Sequence, residues 1–295
     1  MSAPSVLFDA PGPRARRRSR IASAIVILVL AAGAAWVVYT LAQPRDSGGI
    51  TLPGFFDWSR WERLVTDPEF WTFVGRGLLA TLQAAAIAAV IAIVVGVLFA
   101  LLRTSPKAVV RVPVTIVLEF VRGMPVLLMM FFILLVASTG AFWAVVLGLG
   151  LYNGAIIGEA LRAGIASLPR GQKEAGLSLG LTRLQTKMLI EFPQAFRQML
   201  PIILAQLVVL LKDTSLGFIV GYNELIRVTM NNLSAYYGNR FLFTLFVITL
   251  VIYLTVNLTF SWVTRRIAAR SARKRGAAAK KTIAGPLDPA DATTE

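Results

Sequence analysis

Six apolar stretches, each long enough to cross a lipid bilayer as an α-helix, constrain this chain more than any other feature. A helix needs about 20 predominantly apolar residues to cross the hydrocarbon core. None of the six alternates apolar and polar residues as a membrane β-barrel does, so we predict an all-α, integral membrane helical bundle. The predicted spans are Ile21–Leu41, Phe73–Leu102, Val112–Ser138, Ala141–Ile165, Met199–Val220 and Phe241–Val263.

Composition supports a membrane protein and excludes several kinds of chemistry. Hydrophobic residues make up 56% of the chain and charged residues only 15%, which is too apolar for a soluble domain. The chain has no cysteine and no histidine, so disulfides, thiol nucleophiles and the usual zinc and haem ligands are excluded. It also lacks the glycine-rich phosphate loop of ATPases. We therefore do not expect an enzyme.

Basic residues in the connections predict which side of the membrane each loop faces. With the N-terminus placed inside the cell, 22 of the 30 Lys and Arg residues lie on the cytoplasmic side and six lie outside. This is the positive-inside bias of membrane proteins, and it explains the net charge of +15 without a nucleic-acid partner. We expect a multi-pass protein of the cytoplasmic membrane with both termini in the cytoplasm.

The chain divides into five regions on this topology. The first apolar stretch is too long for a cleaved secretory signal, whose apolar core has about 7–15 residues, so we predict an uncleaved anchor helix. The low apolar content of the C-terminal end predicts a disordered basic tail. The regions are a basic cytoplasmic N-terminus (residues 1–20), the anchor helix (21–42), an extracytoplasmic segment (43–70), a transmembrane core (71–265) and the tail (266–295).

A segment between the fourth and fifth spans has the pattern of a short amphipathic helix on the cytoplasmic side. Four apolar residues recur there at spacings of four, three and four, which puts them on one helical face. They are Leu177, Leu181, Leu184 and Met188. Gly180 would lie in the middle of this helix at a cost of about 1 kcal/mol, which favours a close approach by another backbone or by a partner surface. The pattern alone also fits a helix lying on the inner leaflet.

This segment resembles the cytoplasmic signature of the importer permeases of ATP-binding-cassette (ABC) transporters. The signature reads EAA, three residues, Gly, nine residues and I-x-LP. The chain has Glu174-Ala175-Gly176, Gly180, Ile190 and Phe192-Pro193 at the same spacings. It departs at Gly176, which replaces alanine and should loosen the start of the helix, and at Phe192, which replaces leucine.

Further motifs resemble the polar amino-acid permeases of this family, from about residue 70 to residue 265. They are FVGRGLLATLQAAA (73–86), VRGMPVLLMMFF (121–132), GEALRAGIASLPRGQKEA (158–175), FPQAFRQMLP (192–201) and LLKDTSLGFIV (210–220). The resemblance implies a five-helix type I ABC importer permease core, to which the N-terminal helix is an addition. It also implies three partners: a separate ATPase subunit that carries ATP and Mg, an extracytoplasmic solute-binding protein and a second permease subunit. No cofactor is expected on this chain.

The resemblance gives the helix at residues 174–190 the role of a coupling helix, which docks on the ATPase. Nucleotide-driven closure of the ATPase would pass through this helix to the spans on either side. The residues that carry over to this role are Glu174, Ala175, Leu177, Gly180, Leu181 and Leu184.

Charged residues inside the predicted spans are candidates for substrate binding, because charge is costly in a bilayer. Glu119 and Arg122 are three residues apart, as are Glu159 and Arg162, so each pair shares a helix face. In the resembling family, the Arg-Gly-x-Pro and Lys-Asp-Thr-Ser regions border a substrate pocket. The candidate residues are Arg122, Glu159, Lys212, Asp213 and Thr214.

These residue types suit a zwitterion. An arginine fork matches a carboxylate, and a buried carboxylate matches an ammonium group. We therefore expect Arg122 to bind the carboxylate of an amino acid, and Glu159 or Asp213 to bind its ammonium group. The alternative is a set of structural ion pairs that only brace the bundle.

The leading interpretation is a permease subunit that moves a polar amino acid, glutamate or a related one, into the cytoplasm. Two copies of the chain, or one copy and a paralogue, would form the pathway. The alternative is a stand-alone secondary transporter or channel, which predicts no docking helix and often an inverted internal repeat. The helix pattern is present, and no convincing repeat is found.

Overall fold

Helices form nearly all of the part of the chain that the structure describes, as predicted. The structure is a computed structural model and describes residues 12–47 and 49–283. Within these residues, five helices are long and apolar enough to cross a membrane, and one bent pair of helices would make a sixth span. The chain divides into two units, residues 1–68 and 69–295.

The first unit joins one long helix to a small polar motif. Its elements are α1 (Pro13–Ala42), the antiparallel strands β1 (Arg45–Ser47) and β2 (Ile50–Leu52), and α2 (Ser59–Val65). Gly54 lies directly against the end of α1, because a Cβ atom there would lie only 2.1 Å from the carbonyl oxygen of Ala42. The buried Arg60 donates to the carbonyl oxygen of Pro53 at 3.2 Å. This bond holds α2 against the loop that precedes it.

Ten helices follow within the described residues, and turns of 3-10 and π type join some of them. The helices are α3 (Pro68–Arg103), α4 (Ala108–Gly123), α5 (Val126–Val136), α6 (Gly140–Ala166), α7 (Arg170–Ser178), α8 (Arg183–Thr186), α9 (Phe192–Asp213), α10 (Leu225–Arg227), α11 (Ser234–Tyr237) and α12 (Leu242–Ile283). The prediction of a disordered tail from residue 266 differs from the structure, because the backbone of α12 stays helical to Ile283. The rest of the predicted tail, residues 284–295, lies outside the described residues.

Small residues bring α3 and α6 into close contact. Gly150, Gly154 and Gly158 are four residues apart and share one face of α6. A Cβ atom at Gly154 would lie 3.1 Å from the carbonyl oxygen of Ala92, and one at Gly158 would lie 3.0 Å from that of Gly96. Packing of backbone against backbone is typical of helices in membranes. The contact lies in the buried core of the second unit.

The helices α6 and α9 lie side by side and run in opposite directions. Near one end of the pair, a Cβ atom at Gly164 would lie 3.4 Å from the carbonyl oxygen of Ala195. In the middle, Gln206 Nε2 donates to Asn153 Oδ1 at 2.7 Å. Asn153 is fully buried, so this bond satisfies a polar group that would otherwise be costly inside the bundle. The two contacts fix the register of the helices.

The third predicted span, Val112–Ser138, is a broken helix. Its two arms, α4 and α5, are bent by 108° where they meet at Met124 and Pro125. Met124 is extended, with φ −85° and ψ 129°, because a proline clashes with helical backbone in the residue before it. The structure therefore replaces one continuous span by two arms of different direction.

Candidate functional site

The segment predicted as one coupling helix over residues 174–190 is instead two short helices joined by a turn. Gly180 lies in that turn with φ +81°. Its N–H donates to the carbonyl of Leu177 at 3.0 Å, and the N–H of Leu181 donates to the carbonyl of Gly176 at 3.2 Å. This pattern is a Schellman C-cap, in which a left-handed residue ends the helix and glycine is favoured. The predicted mid-helix position of Gly180 is therefore wrong.

The two glycines of this segment have different roles. A Cβ atom on Gly180 would meet no described atom within 4 Å, so backbone conformation alone accounts for glycine there. A Cβ atom on Gly176 would lie 2.6 Å from Thr186 Cγ2 and 2.9 Å from Ile190 Cδ1. Gly176 thus lets α7 pack on α8 and on the turn after it. It does not loosen the start of the helix, because α7 begins at Arg170.

The helix α8 is continuous with α9. Thr182 and Gln185 form a capping box that starts α8, with Thr182 N donating to Gln185 Oε1 at 2.9 Å. A π turn follows, in which the N–H of Phe192 donates to the carbonyl of Lys187, five residues earlier. Pro193 has no N–H to donate, and the wider turn accommodates it without ending the helix. The helix α8, the π turn and α9 form one rod.

Exposed apolar side chains cover the outside of this segment and form what we call the leucine surface. Its members are Leu177, Leu179, Leu184, Met188 and Leu189. Leu179 is 80% exposed and Leu189 is 66% exposed, yet neither was predicted, because both fall off the face of an unbroken helix. Leu179 is the C-cap of α7, directly before the turn at Gly180, and Leu189 lies on the rod. Of the other predicted coupling residues, Glu174 and Ala175 are exposed and Leu181 is partly buried.

Five charged side chains from α3, α4 and α6 form one ion-pair network. Glu119 pairs with Arg122 at 3.4 Å and with Arg103 at 3.0 Å. Glu159 pairs with Arg103, and both of its oxygens pair with Arg162, at 2.7 and 3.0 Å. The two pairs expected from their spacing of three residues are confirmed. Because Arg103 contacts both acids, it joins the two pairs into a network.

Arg103 is the residue of this network that sequence reasoning missed. It is the last residue of α3 and its side chain is only 16% exposed. From its place after a long apolar helix, the sequence predicts a charge that marks membrane sidedness, one of the 22 cytoplasmic basic residues. The available signal was that two acids, Glu119 and Glu159, lie inside predicted spans near an arginine at a span end. We call this end of the bundle, where α3 and α6 finish, the basic end.

Lys212, Asp213 and Thr214 lie together at the opposite end of α9. Lys212 lines a groove of about 470 Å³ between α9 and α12, which Tyr253 also lines. Thr214 is buried, and its hydroxyl lies 3.1 Å from that of Tyr253. Asp213 is partly buried. Neither Asp213 nor Lys212 forms an ion pair within the described residues.

The five predicted binding residues therefore fall into two groups. Gln206 lies level with Asn153, and Lys212 is six residues past Gln206 along α9. Glu159 is six residues past Asn153 along α6, which runs the other way. At 1.5 Å per residue, Glu159 and Lys212 are about 18 Å apart along the helices. One amino acid is too short to contact both groups at once.

Long apolar helices, a leucine surface joined rigidly to one of them, and charged groups between the helices together define a multi-pass membrane permease. The chain belongs to the family of binding-protein-dependent transport system inner membrane components, which matches residues 92–273. That match covers most of the second unit.

Two relatives support this assignment. The chain is 38% identical over 232 residues to the glutamate transport system permease protein GluD of Corynebacterium glutamicum, covering 75% of this chain and 84% of GluD. It is 32% identical over 209 residues to the probable glutamine ABC transporter permease protein GlnP of Bacillus subtilis, covering 68% of this chain and 95% of that one.

Solved structures have the same fold. A chain from the crystal structure of an amino acid ABC transporter with histidines superimposes with a TM-score of 0.62 at 27% identity, over 70% of this chain and 98% of its own. A chain of the MetNI methionine ABC transporter superimposes with a TM-score of 0.58 at 19% identity, over 70% of this chain and 99% of its own. The predicted fold, an ABC importer permease core after an added N-terminal helix, is confirmed.

Proposed function

We propose that this chain is the permease subunit of an ABC importer that carries a polar amino acid, glutamate or a related one, into the cytoplasm. The names of the relatives support the substrate class, since GluD is a glutamate permease. The observation that carries the proposal is the leucine surface, because it is exposed and three of its members, Leu184, Met188 and Leu189, lie on the rod that continues as α9.

A separate ATPase subunit would dock on the leucine surface and hold ATP and Mg. Clusters of exposed apolar side chains mark surfaces that contact other proteins. Because α8 and α9 form one rod, a displacement of the docked segment would move α9 with it. Glu174 and Ala175, which are exposed on α7, would lie at the edge of the same contact.

The basic end would face the cytoplasm, with both termini on that side. The excess of Lys and Arg at this end supports the orientation. A solute-binding protein would then deliver the amino acid at the opposite face of the membrane. A second permease subunit, either another copy or a paralogue, would complete the pathway.

The two groups of polar residues would contact the amino acid in succession. Lys212, Asp213 and Thr214 would meet it first, and Arg122 would meet it near the basic end. The guanidinium group of Arg122 has further N–H donors that could bind the substrate, since its single described ion pair is the 3.4 Å contact with Glu119. Glu159 is bonded to two arginines, so it would act mainly by positioning them.

Docking is tested with paired serine substitutions. Leu179→Ser with Leu189→Ser should weaken binding of the ATPase by roughly tenfold or more, because each leucine would lose its burial in the contact. Val109→Ser is the matched control, since Val109 is 87% exposed but lies on α4. Binding is measured with the purified ATPase and the full-length permease in detergent. Wild-type affinity in the double variant would exclude docking at the leucine surface.

The role of Arg122 is tested by uptake per folded transporter. Arg122→Lys keeps the charge but loses the two-pronged donor geometry, so uptake should fall, and Arg122→Gln should lower it further. A melting curve of each variant in detergent distinguishes a role of Arg122 in substrate binding from a role in stabilising the helical bundle. If Arg122 only braces the bundle, Arg122→Gln would lower melting temperature and abundance while each folded transporter kept its normal uptake.

A further inference from the structure

A cavity of about 610 Å³ lies at the basic end, between the turn after α3 and the segment that contains α7 and α8. Four basic side chains and one acidic side chain line it. They are Arg111, Lys173, Arg183, Lys187 and Glu191. Its apolar walls include Leu102 from the last turn of α3 and Ile165 from the last turn of α6. The cavity therefore combines a basic lining with apolar walls.

The charges of this cavity are unbalanced. The four cations come from α4, α7, α8 and the π turn, and Glu191 is the one acid in the lining. Among the side chains that the structure describes, which end at Arg270, Arg111, Lys173 and Arg183 have no hydrogen-bond or ion-pair partner. Like charges repel one another more strongly beside apolar walls than in open water. A bound anion would relieve that repulsion.

The position of the cavity indicates which anion is available. Leu102 and Ile165 end two membrane-crossing helices, so the cavity opens at the depth where lipid headgroups meet water. Anionic headgroups attract basic residues at this depth, and basic pockets between spans bind them. A soluble anion would satisfy the charges but would leave the apolar walls in contact with water.

We propose that this cavity binds the phosphate group of an anionic phospholipid from the leaflet at the basic end. Arg111 and Arg183 can each offer two parallel N–H donors to phosphate oxygens, while Lys173 and Lys187 act as point charges. The acyl chains would lie along the apolar walls. A lipid bound here would contact α4, α7 and α8 together, and so would hold the segment that carries the leucine surface.

The test compares two double variants of the full-length chain. Lys173→Gln with Arg183→Gln removes two charges from the cavity. Arg170→Gln with Arg197→Gln removes two exposed charges from neighbouring positions that do not line it. Each protein is purified from vesicles of phosphatidylcholine and phosphatidylglycerol, and the bound phosphatidylglycerol is counted by native mass spectrometry. Loss of about fivefold in lipid affinity is expected for each cavity charge removed, and much less for the control pair.

Four results would overturn the proposal. Equal retention of phosphatidylglycerol by all three proteins would show that the cavity holds no lipid. Equal loss in both double variants would show general attraction to the surface. Inorganic phosphate that protects wild-type protein from heat as well as phosphatidylglycerol does, in detergent, would identify a soluble anion as the ligand. Normal lipid retention with lost ATPase binding would assign the cations to acidic residues of that partner.

Discussion

The ammonium group of Lys187 donates a hydrogen bond of 2.6 Å to the carbonyl oxygen of Thr104. Thr104 directly follows α3, where carbonyl groups lack a partner within the helix and the helix dipole favours a cation. The bond links the π turn before α9 to the end of a different span. The leucine surface is thus joined to α9 by the backbone and to α3 by Lys187.

Lys187→Met should loosen that second link. A hydrogen bond from a charged donor contributes about 1.5–3 kcal/mol, so the melting temperature in detergent should fall. More ATP should also be hydrolysed for each amino acid imported, since α3 would follow the docked segment less closely. Lys107→Met, an exposed lysine at the same end, is the control. A variant with unchanged melting and an unchanged ATP-to-substrate ratio would contradict this role.

The variants Gly180→Ala and Gly180→Asn distinguish two reasons why glycine could be required at this position, its backbone conformation and the space it leaves for a partner. Alanine in a left-handed conformation costs about 1–2 kcal/mol, whereas asparagine tolerates that conformation. If the backbone sets the requirement, hydrogen exchange in α7 should rise with alanine and return towards wild type with asparagine. If a partner surface needs the space, asparagine would be worse than alanine in an ATPase-binding assay.

Arg103→Gln should destabilise the protein more than Arg162→Gln does. Arg103 contacts two acids from different helices, whereas Arg162 contacts one acid on its own helix. Loss of a largely buried partner should cost about 2 kcal/mol, a value reduced here because Glu119 is half exposed. Detergent melting curves for the two variants give the comparison. Equal melting temperatures would show that Arg103 does not join the helices.

Glu224 should make stability depend on pH. Its carboxyl group is fully buried and accepts hydrogen bonds from the N–H groups of Ile226 and Arg227 at 2.9 and 2.8 Å. Burial nevertheless raises the pKa of Glu224 from 4.5 to about 7.

The raised pKa of Glu224 determines whether the stability of the protein rises or falls with pH. The folded state holds the proton more tightly than the unfolded state, so the stabilising contribution is complete below about pH 4.5 and is lost as pH rises through about 7. Melting temperature should therefore fall across this interval. Glu224→Gln stays neutral at all pH values and should flatten that part of the curve. An identical pH profile in the variant would rule out Glu224 as the cause.

The sequence predicts features of this protein that depend on length or short spacing. Apolar stretches of sufficient length become helices because backbone groups in a bilayer must bond within their own segment. The pairs Glu119–Arg122 and Glu159–Arg162 form because a separation of three residues fixes their geometry on a helix.

Features that depend on one backbone angle or on distant residues were missed. Gly180 fits the pattern of a helix interior, but its positive φ ends the helix and moves Leu179 to an exposed position. Arg103 lies 56 residues from Glu159 in the chain, so no local spacing links them. The presence of Pro125 does not by itself predict the 108° bend between α4 and α5, because proline also occurs within helices that continue, as at Pro201 in α9.

Because α8 and α9 form one continuous rod, adding or removing a residue within it rotates the part before the change relative to the part after it. Each residue of a helix turns it by about 100° and advances it by 1.5 Å. Deleting one residue of the π turn after Leu189 would therefore rotate Leu184, Met188 and Leu189 around α9, although these three side chains stayed the same. A deletion in the turn at Gly180 would leave the rod unrotated. Changes of chain length after Thr182 therefore rotate side chains of the leucine surface around α9, whereas changes of chain length before Thr182 do not.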